Sequence, residues 1–108
     1  MIHLKKYISS IHALCQRYGV KKLYFFGSAM TERFDEKSSD VDVLVEMLPM
    51  PPIRRGENLT RLWVELEQLF RKKVDLLTPQ SLRNPYLKQE IEQTKRLVYD
   101  HQSQEIPV

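Results

Sequence analysis

The sequence predicts a small α/β domain: a mixed sheet of three or four strands covered by helices, the domain spanning residues 1–100. Three observations carry that expectation. Two stretches repeat apolar residues every three or four positions, as amphipathic helices do. Three short apolar runs have strand length, and each meets a glycine or proline within a few residues. Helical and strand segments alternate along only 108 residues, enough for one core.

Leu4, Tyr7, Ile8, Ile11, Leu14, Cys15 and Tyr18 form the first helical stripe, and Gly19 stops it as a C-cap. Leu23-Tyr24-Phe25-Phe26 reads as a buried strand ended by Gly27. Ala29 to Glu32 can begin a short helix, and Phe34 to Ser39 loops back toward a second strand, Val41 to Glu46. That connection is short for a parallel crossover, which makes the sheet mixed. Leu48-Pro49-Met50-Pro51-Pro52 cannot continue a central strand, because proline removes a ladder donor. With Arg54-Arg55-Gly56 it is expected to be a loop. Leu59, Leu62, Trp63, Leu66, Leu69 and Phe70 give a second helical stripe, with Trp63 taken as a core residue rather than a base-stacking one. Val74-Asp75-Leu76-Leu77 is the third strand. Thr78-Pro79 and Asn84-Pro85 each pair a helix cap with a first-turn proline. Leu87, Ile91, Leu97 and Val98 supply a last helical face, and 101–108 is expected to be a flexible tail.

Composition narrows the class. Hydrophobic residues make up 42% and charged residues 29%, ordinary values for a soluble domain. No apolar run approaches the roughly 20 residues that cross a bilayer, and the first residues lack the apolar segment of a signal peptide. The single cysteine, Cys15, excludes an internal disulfide, sits on an apolar stripe as a buried hydrophobe, and fits a cytoplasmic location. A net charge of +3 is too modest for a dense basic patch, so direct nucleic-acid binding is not expected. Arg71-Lys72-Lys73 reads as a solvated element end, with phosphate contact as the alternative. His3, His12 and His101 show no zinc spacing and are expected at the surface.

The chemistry concentrates in Gly27-Ser28 and Ser39-Asp40-Val41-Asp42. Alternate strand residues share a face, so Asp40 and Asp42 project together, their Cα atoms roughly 6–7 Å apart. Like charges that close call for a cation, and paired carboxylates with substrate phosphates suit Mg²⁺. Asp75 is poorly matched to its apolar strand, and beside the second strand it would complete an acidic cluster able to hold two divalent ions. Gly27 permits close backbone approach to a phosphate, and Ser28 adds a hydroxyl.

Together these residues resemble the nucleotidyltransferase superfamily that includes DNA polymerase β, and within it the minimal nucleotidyltransferases. The resemblance runs over roughly residues 4–99: Gly27-Ser28, a spacer, Asp40-Val41-Asp42, then Asp75. The spacer 29–39 is about one residue longer than usual, and Thr31 stands where the pattern often has a basic residue, Arg33 being a possible substitute. The resemblance implies that Asp40, Asp42 and Asp75 bind two Mg²⁺ ions and are catalytic, while Gly27 and Ser28 bind the phosphates of ATP or another nucleoside triphosphate. It implies transfer of a nucleoside monophosphate to a hydroxyl, with a tyrosine of a helical HEPN-type toxin as acceptor and this chain as antitoxin. Two other readings stay open: a module that neutralises its partner by masking it, with Met47, Leu48, Met50 and Ile53 or the final helix as contact, and an enzyme modifying a small molecule such as an antibiotic.

Overall fold

The computed structural model describes residues 3–30 and 40–102. Its elements in chain order are α1 (Leu4–Tyr18), β1 (Val20–Phe26), a 3₁₀ turn (Gly27–Met30), β2 (Val41–Met47), α2 (Pro52–Phe70), β3 (Val74–Leu77), a second 3₁₀ turn (Pro79–Ser81), α3 (Pro85–Thr94) and β4 (Arg96–Asp100). The four strands form one sheet in the order β3-β2-β1-β4. β1 runs antiparallel to β2 and β4, whereas β2 and β3 are parallel, so the sheet is mixed as expected.

Strand alternation sorts the two faces. Leu23 and Phe25 of β1, Val41, Val43 and Val45 of β2 and Val74 of β3 point to one face and are fully buried. There they meet Leu4, Ile11 and Cys15 of α1 and Leu62, Leu66 and Phe70 of α2 in the main core. Phe70 closes it, its ring edge-on to Tyr7 at 4.9 Å and to Phe25 at 5.8 Å. Each such buried side chain stabilises the fold by about 1.5–3 kcal/mol relative to exposure. The opposite face carries a smaller cluster, Phe26, Leu44 and Ile91, with Tyr24, Leu77, Leu82 and Leu87 packed against it. α3 therefore covers part of that second face and leaves the end near Asp42 and Asp75 open.

Several expectations change. Gly19 does cap α1, in the left-handed conformation at φ 73°, its N–H donating to the Cys15 carbonyl. α2 begins at Pro52, however, so Ile53 to Gly56 are helical rather than loop. Proline at the first helical position gives up an N–H that would have no partner anyway, so the Pro51-Pro52 pair starts a helix. Leu97 and Val98 lie on β4 rather than on a helix. The pairing slips between Leu23–Tyr99 and Tyr24–Leu97, leaving Val98 as the extra residue of a bulge. Val98 and Tyr99 are consequently both buried. His12 is only half exposed: its ring lies 5.1 Å from that of Tyr99 and its Nε2 is buried. The first 3₁₀ turn takes Ala29 and Met30. Residues 31–39, with Thr31 and Arg33, lie outside the described residues, as do 103–108 of the expected tail.

Candidate active site

Strand direction brings the predicted residues to one end of the sheet. β1 finishes there at Phe26, and its antiparallel partner β2 starts there. Because β3 is parallel to β2, it starts there too, and the register sets Asp42 directly opposite Asp75. Paired residues of neighbouring strands share a face, so both carboxylates project onto the face that α3 leaves partly open. Asp40 precedes β2 by one residue and is half-buried.

Gly27 follows β1 at φ 67°, in the left-handed region where a side chain is strained. A Cβ at this position would stand 2.7 Å from Oδ2 of Asp42, so the glycine also leaves room for that carboxylate. Its N–H donates to Oγ1 of Thr94 at 3.0 Å, and the Thr94 hydroxyl donates to the Glu90 carbonyl at 2.8 Å. The C-terminal turn of α3 is thus tied to the glycine turn, and the Gly27 amide already has a protein acceptor. Ser28 is in the same 3₁₀ turn.

Asp42 carries the electrostatic signature of the site. Burial, the charge of Asp75 and a hydrogen bond with Asp75, then the charges of Asp40 and Glu90, raise its pKa from 3.8 to about 6. A hydrogen bond between two carboxyl groups needs one shared proton, and a cation can replace that proton. The pair opens into a cavity of about 400 Å³ lined by Asp42, Asp75, Glu90, Phe26, Trp63, Leu76, Leu77 and Leu87.

Sequence reasoning missed three of these contributors. Glu90 lies in the polar run Lys88-Gln89-Glu90, where nothing distinguishes it from a solvated helix face. Thr94 gave no signal either. Trp63 was assigned to the core, yet it is 43% exposed and walls the cavity. Its Nε1–H donates to the Val74 carbonyl at 2.6 Å, while the Val74 N–H donates to Oε2 of Glu67 at 2.9 Å. Trp63 and Glu67, one helical turn apart, together satisfy the backbone of edge strand β3 beside Asp75.

The family model for a nucleotidyltransferase domain matches residues 9–98. The chain belongs to the nucleotidyltransferase domain family. Two proteins of Methanocaldococcus jannaschii, named as candidate protein adenylyltransferases, share this architecture in sequence. MJ1217 is 35% identical over 80 residues, 74% of this chain and 78% of its own length. MJ1379 is 40% identical over 81 residues, with the same coverage of 74% and 78%. A solved structure of a candidate minimal nucleotidyltransferase superposes with a TM-score of 0.67 at 26% identity, covering 86% of this chain and 90% of that one. A chain of a Shewanella oneidensis complex, described as a tri-AMPylated HEPN toxin with its MNT antitoxin, shares the fold at TM-score 0.57 and 20% identity, covering 92% of this chain and 74% of that one. The resemblance drawn from Gly27-Ser28, Asp40-Val41-Asp42 and Asp75 thus led to the right family, and the enzyme class is nucleotidyl transfer.

A divalent cation is implied by this nucleotidyltransferase fold. The donor set fits one: Asp42 and Asp75 are hard oxygen ligands that hold each other's charge at a cost, with Asp40 and Glu90 adding to it. Among the described residues, no three His, Cys, Asp or Glu side chains already stand close enough to enclose an ion. The directly apposed pair is Asp42 and Asp75, and Asp40 acts on it through charge. No described helix is long and apolar enough to cross a membrane.

Proposed function

We propose that the chain transfers AMP from ATP, in the presence of Mg²⁺, to a hydroxyl of a partner protein. The observation that carries this is the in-register apposition of Asp42 and Asp75 beside the Gly27 turn. Asp40 and Asp42 would hold the ion that carries the triphosphate, and Asp75 would share a second with Asp42. When bound, the cations neutralise phosphate charge and lower the pKa of the acceptor hydroxyl. Ser28 and the backbone of the turn orient the phosphates, since the Gly27 amide is engaged by Thr94. Asp75 accepts the proton of the acceptor hydroxyl, whose oxygen attacks the α-phosphorus as pyrophosphate departs. Most of the rate comes from positioning and charge neutralisation.

The acceptor is read from the family's company. The S. oneidensis complex pairs an MNT antitoxin with an AMPylated HEPN toxin, which supports a HEPN-type partner here and antitoxin action as the outcome; the tyrosine hydroxyl as acceptor is what the family resemblance implies. With α-labelled ATP and Mg²⁺, the wild-type chain is expected to label the partner and the Asp42→Asn variant to leave it unlabelled. Full activity in that variant would remove the basis of the assignment.

A further inference from the structure

We infer that Trp63 is the platform for the acceptor, stacking against a flat aromatic ring that carries the reactive hydroxyl, and does not bind the nucleobase. This inference rests on the transfer proposed above. The argument begins with the order of the sheet. Gly27 flanks Asp42 on the β1 side, and Asp75 and then Trp63 lie on the β3 side. In phosphoryl transfer the entering and leaving oxygens are roughly in line. Pyrophosphate directed toward the glycine turn therefore requires the attacking oxygen to arrive from the opposite flank, where Asp75 and Trp63 stand.

The lining of that flank suits a phenol. Trp63, Leu76, Leu77 and Leu87 make it apolar, and Asp75 and Glu90 are its charged groups. An offset or edge contact with the indole holds a ring without a further polar partner. The hydrogen bond from Nε1 to Val74 and the neighbouring bond from Val74 to Glu67 fix the indole against the sheet edge, so the platform is rigid before the acceptor arrives. The chemistry balances simply. The phenolic oxygen forms a bond to the α-phosphorus, the bond to pyrophosphate breaks, and the phenolic proton passes to Asp75 and then to water.

Trp63 is the chain's only tryptophan, so its emission reports this wall alone. The protein is loaded with Mg²⁺ and a non-hydrolysable ATP analogue, then titrated with N-acetyltyrosinamide, N-acetylphenylalaninamide or N-acetylserinamide. The two aromatic probes are expected to shift the half-exposed indole to the blue, and the serine probe to leave it unmoved. Leu87→Ala, which keeps the reporter, is expected to weaken the response. In transfer assays with N-acetyltyrosinamide, Trp63→Leu should raise the acceptor KM roughly three- to tenfold and leave the KM for ATP unchanged. A full blue shift from the nucleotide analogue alone, with nothing further from aromatic probes, would make Trp63 a nucleobase platform and overturn the inference. No response to either ligand would overturn it as well. The two levels separate cleanly. Transfer without any movement of Trp63 refutes the platform, whereas probe binding without transfer of AMP refutes the activity.

Discussion

Replacing Asp42 by asparagine should make the metal-free protein more stable while abolishing its chemistry. In the folded state Asp42 has a pKa near 6 against 3.8 for an unperturbed carboxyl, burial being the largest cause and Asp75 the next. The folded state therefore binds the Asp42 proton more tightly than the unfolded state does. The stabilisation this confers is complete below pH 3.8 and is lost as pH rises through about 6. At neutral pH the wild type holds an ionised carboxylate that it would rather protonate. The difference between 3.8 and about 6 corresponds to at most ~3 kcal/mol, and water screening at a half-exposed group reduces this to about 1 kcal/mol. Asparagine carries no charge and can donate its amide to Asp75. Urea denaturation at pH 7 without Mg²⁺ should show the variant more stable by about 1 kcal/mol, a rise of roughly 4–8 °C in Tm. The gap should close toward pH 4, where the wild-type carboxyl is protonated, and should reverse when Mg²⁺ and ATP stabilise the wild type alone. A variant less stable than wild type at pH 7, or a gap that ignores pH, would refute the reasoning.

Three further outcomes follow from the same contacts. Gly27→Ala places a methyl at φ 67° and 2.7 Å from Asp42 Oδ2, so it should cost about 2 kcal/mol in thermal unfolding and displace the carboxylate enough to abolish ATP binding in a calorimeter. Glu67→Ala should cost about 1–2 kcal/mol and speed hydrogen exchange at the Val74 amide, with Glu67→Gln, which keeps an acceptor oxygen, restoring most of the loss. Arg71 ends α2 at φ 54°, the sole non-glycine with positive φ among the described residues, so Arg71→Gly should stabilise the fold by about 0.5–1 kcal/mol, read as a higher urea midpoint at unchanged slope.

The site was legible where chemistry and periodicity agree. Asp40 and Asp42 two residues apart, and Asp75 in an apolar strand, announced a shared face before any strand pairing was known, and the register then placed Asp42 against Asp75. Features that break periodicity were not legible. The bulge at Val98 turns two consecutive residues inward, so β4 lacks the alternation of a strand and reads as an irregular helical face. Pro52 and Gly56 look like loop punctuation, yet the proline occupies the first helical position, and a Cβ at Gly56 would meet nothing within 4 Å. Gly19 signalled the end of α1, whereas Arg71 takes the same left-handed role at the end of α2 without a glycine to mark it. Trp63 sits at the margin of a buried stripe, and only the edge of β3 determines that its indole turns toward the cavity. Glu90 and Thr94 depend wholly on where α3 docks, a tertiary fact that no local pattern encodes.

The central claim is that Asp42 and Asp75 form one metal–nucleotide site. Calorimetric titration of the wild type with ATP tests it most directly. The account predicts binding in the presence of Mg²⁺, loss of binding with chelator, and silence in both Asp42→Asn and Asp75→Asn. Equal binding by all three proteins, or binding indifferent to Mg²⁺, would contradict it.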